Sequence, residues 1–196
     1  LILSQLRERT KQLHLRLEAR VDLMSPALTR ERYLGLLQSF YGFYLPLERN
    51  LVQRAEWSLA GLTFERRIKL PWLLADLAEL GLSKEAIDHL PICPVSALPA
   101  VERFEEALGC LYVLEGATLG GQVISRHLQR TLGLGKGSGG AFFSSYGPEV
   151  GPMWTEFVAA LNGYPQTPLQ HDLIVSSACN TFQAFDQWFL SRERQQ

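Results

Sequence analysis

The stretch LEGATLGGQVISRHL, Leu114 to Leu128, decides how the chain is read, because it sits inside a long apolar-periodic segment that otherwise has every mark of a helix. Glycine costs a helix interior roughly 1 kcal/mol relative to alanine, so Gly116, Gly120 and Gly121 together weaken it by a few kcal/mol. Gly116 and Gly120 stand four residues apart, which clears one strip of the helix surface and lets the helix bend there. Two uses fit such a strip. It admits the backbone of a neighbouring helix, or it admits a flat, wide ligand that side chains would hold off.

Outward from this stretch the helical period dominates. Leu3, Leu6, Leu13 and Leu17 draw one apolar stripe, ending before Ser25-Pro26; Tyr33, Leu37, Phe40, Tyr44, Leu47 and Leu51 draw a second. A third helix is expected over Arg66 to Leu80 with Gly81 as its stop, and a short one follows the N-cap Ser83 to Leu90. Pro91, Pro94 and Pro99 form a rigid connector, after which Val101 to Leu132 reads as one long helix. Gly133 to Gly151 is loop-like around the compact Phe142-Phe143-Ser144-Ser145-Tyr146-Gly147. Pro152 to Leu161 and Pro168 to Leu190 close the chain as helices, the latter with Thr167 as N-cap and proline at its first position. With no alternating strand and no repeat, the expectation is an all-α fold in one domain spanning residues 1–196.

Composition narrows the class. The 196 residues are 46% hydrophobic and 20% charged with a net charge of −1, which suits a folded globular chain and gives no global reason to expect nucleic acid. Cys93, Cys110 and Cys179 are odd in number and in no metal-ligand spacing, so neither a disulfide framework nor a structural metal is expected. No uncharged apolar run marks a membrane span, and a reducing, cytoplasmic setting fits the cysteine usage.

The first helix carries a second constellation. In LRERTKQLHLRLEAR, Arg7, Lys11 and Glu18 lie at −7, −3 and +4 from His14, and at the helical rotation per residue all four fall within roughly 60° of one another. A neutral imidazole is a good axial ligand for iron, with its second nitrogen needing an acceptor that Glu18 can supply. Arg7 and Lys11 are placed to meet carboxylates of a bound ligand. The plainer reading of the same face is a solvated helix surface with ordinary charge pairs. His89, His127 and His171 lie in less suggestive settings, and none completes a Glu-x-x-His pattern.

A first helix of the form TKxLHxxxE, a tyrosine-rich second helix and a GxxxGGQ helix resemble the biliverdin-producing haem oxygenases. LRERTKQLHLRLEAR is similar to their proximal helix and GATLGGQ to their kinked distal helix. LEGATLGGQ and FFSSYG look closest to the bacterial branch that accompanies bacterial phytochromes. The resemblance runs from about Leu3 to Leu190. It implies a helical bundle with haem b, both substrate and cofactor, between the two helices, His14 on the iron, and Gly116, Gly120 and Gly121 on the opposite face. It further implies O2- and reductant-dependent cleavage of the macrocycle to biliverdin, CO and Fe2+. Electrons would come from a ferredoxin or a reductase, and a bacteriophytochrome is the implied acceptor of the product. Arg7 and Lys11 match basic residues that meet haem propionates, and Glu18 matches the acidic partner of the proximal histidine.

Two departures stand out. Where many members carry an aspartate that holds a distal water, this chain has Ala117, leaving the Gly116 carbonyl, Thr118 or Glu115 to take that part. Many members also hold a propionate with a cation from a late helix, but no Lys or Arg occurs between Lys136 and Arg192. Arg126, Tyr146 and Tyr164 are the substitutes considered for that contact. Three other readings are a haem-binding or storage protein of the same fold without turnover, for which Ala117 speaks, a thiaminase-like enzyme using Cys110 or Cys179, and a helical interaction module.

Overall fold

The computed structural model describes residues 2–165 and 167–194. Eight α-helices are found among them: α1 (Ile2–Val21), α2 (Arg30–Leu51), α3 (Leu70–Glu79), α4 (Lys84–Asp88), α5 (Phe104–Leu132), α6 (Ala141–Ser144), α7 (Val150–Gly163) and α8 (Pro168–Glu193). No strand is present among the described residues. The fold is therefore all-α, as the periodicity predicts.

Helix α8 packs along both α1 and α5 and so holds these two long helices in register with each other. The α5–α8 contact is close because Gly109 meets the Ile174 carbonyl and Ala178 backbone, where any Cβ would collide. Ser177 Oγ then donates to Glu106 O at 2.6 Å across the same seam. Arg20 Nε, donating to Asp186 Oδ1 at 2.6 Å, ties the end of α1 to α8, and Trp188 Nε1, donating to Ser39 O at 2.7 Å, ties α8 to α2.

Helix α2 contains Pro46, which has no N–H to offer the Gly42 carbonyl one turn back. Cys93 N fills that vacancy, donating to Gly42 O at 2.9 Å. The proline-rich connector thus docks where α2 lacks a bond.

The expected helix over Arg66 to Leu80 divides in two. Phe64–Arg67 is a 3-10 turn, and α3 starts only at Leu70 with Pro71 in its first turn. Proline biases the residue before it away from helix, and the first N–H groups find a distant acceptor. Glu48 of α2 accepts from Lys69 N at 2.7 Å and Leu70 N at 3.1 Å. The loop expected over Gly133 to Gly151 also contains more order than its glycines suggest. Asp76 accepts from Ala141 N and Phe142 N at 2.7 and 2.8 Å, Glu79 accepts from Gly139 N at 2.6 Å, and Tyr33 Oη donates to Gly139 O at 2.8 Å. Those anchors let α6 form. Among the described helices α5 alone is long and apolar enough to cross a membrane, and 61% of its most apolar window is buried in the core.

Candidate functional site

A cavity of about 880 Å³ opens between α1 and α5. Phe40 and Tyr44 of α2, Phe142 and Phe143 of α6, and Phe182 and Phe185 of α8 close its interior. These rings pack edge-to-face on one another, for example Phe40 with Phe143 at 5.7 Å and Tyr44 with Phe142 at 5.3 Å between centroids. A cavity of this size with mostly apolar walls and a few convergent polar groups has the dimensions of a small-molecule or cofactor site.

The α1 wall is the polar one. Arg7, Lys11, His14 and Glu18 all line the cavity, so the helical face deduced from spacing does point inward. Glu18 Oε1 lies 3.4 Å from His14 Nε2, which places the carboxylate at one ring nitrogen. The imidazole is half-exposed, and its ring rests 5.5 Å from that of Phe182, which supports it from α8. At the same end of α1, Thr10 is buried with its hydroxyl donated to Leu6 O at 2.7 Å. Tyr112 faces this end from α5. Burial pushes its hydroxyl above the ordinary range, against the opposing pull of Thr10 and Arg7.

The α5 wall is bare backbone. A Cβ built at Gly116 or Gly120 would meet nothing within 4 Å, so both glycines leave free space where a side chain would stand. Gly121 differs: its Cβ would lie 2.7 Å from the Phe143 carbonyl. It borders the cavity, but the missing side chain there serves the approach of α6 to α5. The close approach of another helix is thus found at Gly121, while Gly116 and Gly120 leave open space on the cavity side. Thr118 lines the cavity too, with its hydroxyl proton committed to Glu115 O at 2.7 Å.

Behind the glycine strip lies a cluster of buried charge. Glu115 is essentially inaccessible; its Oε2 accepts from Arg67 Nη1 at 2.5 Å, and its Oε1 accepts from Lys69 Nζ at 2.7 Å and Tyr146 Oη at 2.8 Å. Arg67, also inaccessible, donates to Met153 O at 3.2 Å, while its Nε and Nη2 have no hydrogen-bond acceptor and Nη2 lies 3.5 Å from Glu156 Oε1. Burial and the Glu115 carboxylate hold the Tyr146 phenol far above its ordinary range, as a neutral donor. Charges this deep are tolerated only when paired.

Three expected ligand contacts are not found at the cavity. Arg126 is exposed and does not line it, because on a helix of 3.6 residues per turn it falls about 100° around α5 from the middle of the Gly116–Gly120 strip. Tyr146 is drawn instead into the Glu115 cluster, and Tyr164 packs edge-on against Phe104 at 4.8 Å. The cations that reach the cavity are Arg7, Lys11 and one that spacing does not reveal, Lys69. A signal for it exists in the lone Glu115 of an otherwise apolar run, which demands a partner.

Burial pushes Cys110 up to about 12 and Cys93 up to about 11, and Cys179 is raised as well. Thiolate chemistry of the thiaminase kind is thereby disfavoured. No group of three or more His, Cys, Asp or Glu side chains converges on a metal position among the described residues. His127 is bonded to Ser25 O at 3.1 Å and His89 to Glu85 O at 2.7 Å, both away from the cavity.

The family model described as Heme oxygenase matches residues 2–191. Among solved structures, the heme oxygenase of Neisseria meningitidis, described in NO- and CO-bound forms, is similar with a TM-score of 0.81 at 22% identity, covering 97% of this chain and 91% of that one. The heme oxygenase of Leptospira interrogans gives 0.78 at 20% identity over 97% and 98% of the two chains. Heme oxygenase-1 of the cyanobacterium Synechocystis, described in complex with heme, gives 0.77 at 20% over 99% and 93%. No curated protein sequence matches the chain.

Proposed function

Because the chain belongs to the heme oxygenase family, we propose that it cleaves haem with O2 and electrons to biliverdin, CO and Fe2+. The observation that carries this reading is the cavity itself, with His14 on its α1 wall and the Cβ-free positions of Gly116 and Gly120 on its α5 wall. A flat macrocycle is the kind of ligand that needs both at once. The fit is supported by the open space at both glycines, where any side chain would intrude on that ligand, and by the aromatic closure at the back.

When bound, haem supplies a redox-active iron and is itself the ring that is oxidised. The protein's part is to place it. His14 would hold the iron through one ring nitrogen, with Glu18 beside the other to orient the ring. With His14 rather than a thiolate as its ligand, haem would supply oxidising chemistry directed at its own ring. Arg7 and Lys11 are positioned to pair with propionate carboxylates at the α1 rim and so fix which edge of the ring lies deepest. Electrons would come from a ferredoxin or a reductase. In this reading the protein is cytoplasmic and hands biliverdin to a bacterial phytochrome.

Titration with haemin tests the proposal. A saturable Soret band at one haem per chain is expected, followed on addition of ascorbate or a ferredoxin system by biliverdin absorbance and CO release. A saturable band with a stable ferrous-oxy spectrum and no product would instead establish haem storage, the reading that Ala117 favours. His14→Ala should abolish the strong axial field without changing the fold. Turnover equal to the parent's would refute the ligand assignment.

A further inference from the structure

Apart from tyrosines, the ionisable side chains lining the cavity from α1 and the residue after it are Arg7, Lys11, His14, Glu18 and Asp22; from every other side, among the described residues, there is Lys69 alone. Its side chain is 3% exposed, a costly position for an ammonium. An apolar residue would fill the space at no electrostatic cost. The charge is nonetheless kept and immobilised, since Lys69 Nζ donates to Arg67 O at 2.8 Å, to Glu115 Oε1 at 2.7 Å and to Tyr146 Oη at 3.2 Å. All three of its protons are engaged, so the flexible lysine stem cannot swing the charge away. A fixed charge beside a low-dielectric cavity acts on a ligand without reorganisation when the ligand arrives.

We propose that Lys69, clamped by Glu115 and Tyr146, is a positioning residue that sets the electrostatic potential on the α5 side of the cavity and favours electron-rich or anionic ligands beside the glycine strip. The methyl group of Ala117 cannot take that part. This inference rests on the haem reading, since it concerns the ligand that shares the cavity with haem. Within the cluster, the side chains of Arg67 and Lys69 carry two positive charges against one carboxylate of Glu115, while Glu48 accepts the Lys69 and Leu70 backbone N–H groups and the partly exposed Glu156 lies 3.5 Å from Arg67. Removing the lysine charge therefore shifts the local potential negative, and removing the Glu115 charge shifts it positive. The two substitutions must act in opposite directions on an anion.

The probe is azide, titrated spectroscopically into the ferric haem-loaded full chain. Lys69→Met should weaken azide binding on the order of tenfold, which is ~1.4 kcal/mol. Glu115→Gln should tighten it, and Lys69→Arg should stay near the parent because it keeps the charge. A purely structural role would weaken azide in Lys69→Met and Glu115→Gln alike, and that result, or no change in either, overturns the inference. If Lys69→Met fails to fold, Glu115→Gln must still tighten azide. Absence of a saturable Soret band in the parent chain overturns the haem reading and this inference with it, whereas a normal Soret band with unmoved azide affinity overturns the inference alone.

Discussion

Gly120 and Gly121 are adjacent in sequence, and alanine at each should have opposite effects on stability. A Cβ at Gly120 meets nothing within 4 Å, so Gly120→Ala adds no clash and recovers the helix propensity that glycine forfeits, about 1 kcal/mol. In a chain of this size that corresponds to a rise in Tm of about 2–4 °C for the haem-free protein. A Cβ at Gly121 would lie 2.7 Å from the Phe143 carbonyl, a backbone atom that can retreat only if α6 moves. Gly121→Ala should therefore destabilise by about 1–3 kcal/mol, the usual range for overpacking. Thermal melts of the two haem-free variants, followed by far-UV circular dichroism beside the parent, read both effects. Haem affinity should run the other way for Gly120→Ala, which gains stability and loses ligand space. If Gly120→Ala melted below the parent, or Gly121→Ala melted with it, the division of these glycines into a ligand-facing pair and a packing residue would be wrong.

The remaining expectations concern buried charge. Asp76 is fully buried, and burial raises its carboxyl from the ordinary 3.8 to about 6 despite the two backbone N–H groups it accepts. A raised folded value means that the folded state holds the proton more tightly, so this group's contribution to stability is complete below about pH 4 and is lost as pH rises through about 6. Urea melts should show the stability of the parent relative to Asp76→Asn falling by about 2 kcal/mol between about pH 4 and about pH 6, and a flat difference would contradict the assignment. Arg67→Met strips Glu115 of one of its two cations and should cost about 3–5 kcal/mol by denaturant melt. A loss of less than about 1 kcal/mol would show that Lys69 and Tyr146 satisfy the carboxylate alone.

How much of this was legible depended on how local the physics is. The Arg7, Lys11, His14 and Glu18 face could be read because its members lie within three turns of one helix, where spacing fixes direction. Gly116, Gly120 and Gly121 all border the cavity, and nothing local distinguishes the tight approach at Gly121 from the open space at the other two. That difference is made by Phe143, more than twenty residues later. Glu115 in its apolar run signals that a partner exists, but not which one, for the same reason: Lys69 and Arg67 lie 46 and 48 residues away, in a segment that periodicity assigns to a single helix. Arg126 shows the opposite error. Charge made it a candidate, and rotation around α5 removed it.

The two walls of the cavity are built on different principles, and substitutions on them should separate accordingly. On α1 the ionisable groups are largely solvated, with His14 and Glu18 54% and 59% exposed, so their mutual attraction contributes little to folding. They are free to act on a ligand at small cost when changed. On the other side the ionisable groups are engaged in the packing of α5 against the 64–70 segment and the loop carrying Tyr146. Changing them perturbs the ligand's surroundings and the fold together. It follows that haem affinity can be altered at Arg7 or Lys11 with melting temperature nearly constant. At Glu115 or Arg67 the two quantities must move together, and only the direction of the electrostatic effect, read with an anion at Lys69 and Glu115, separates a charge acting on the ligand from one that merely holds the wall in place.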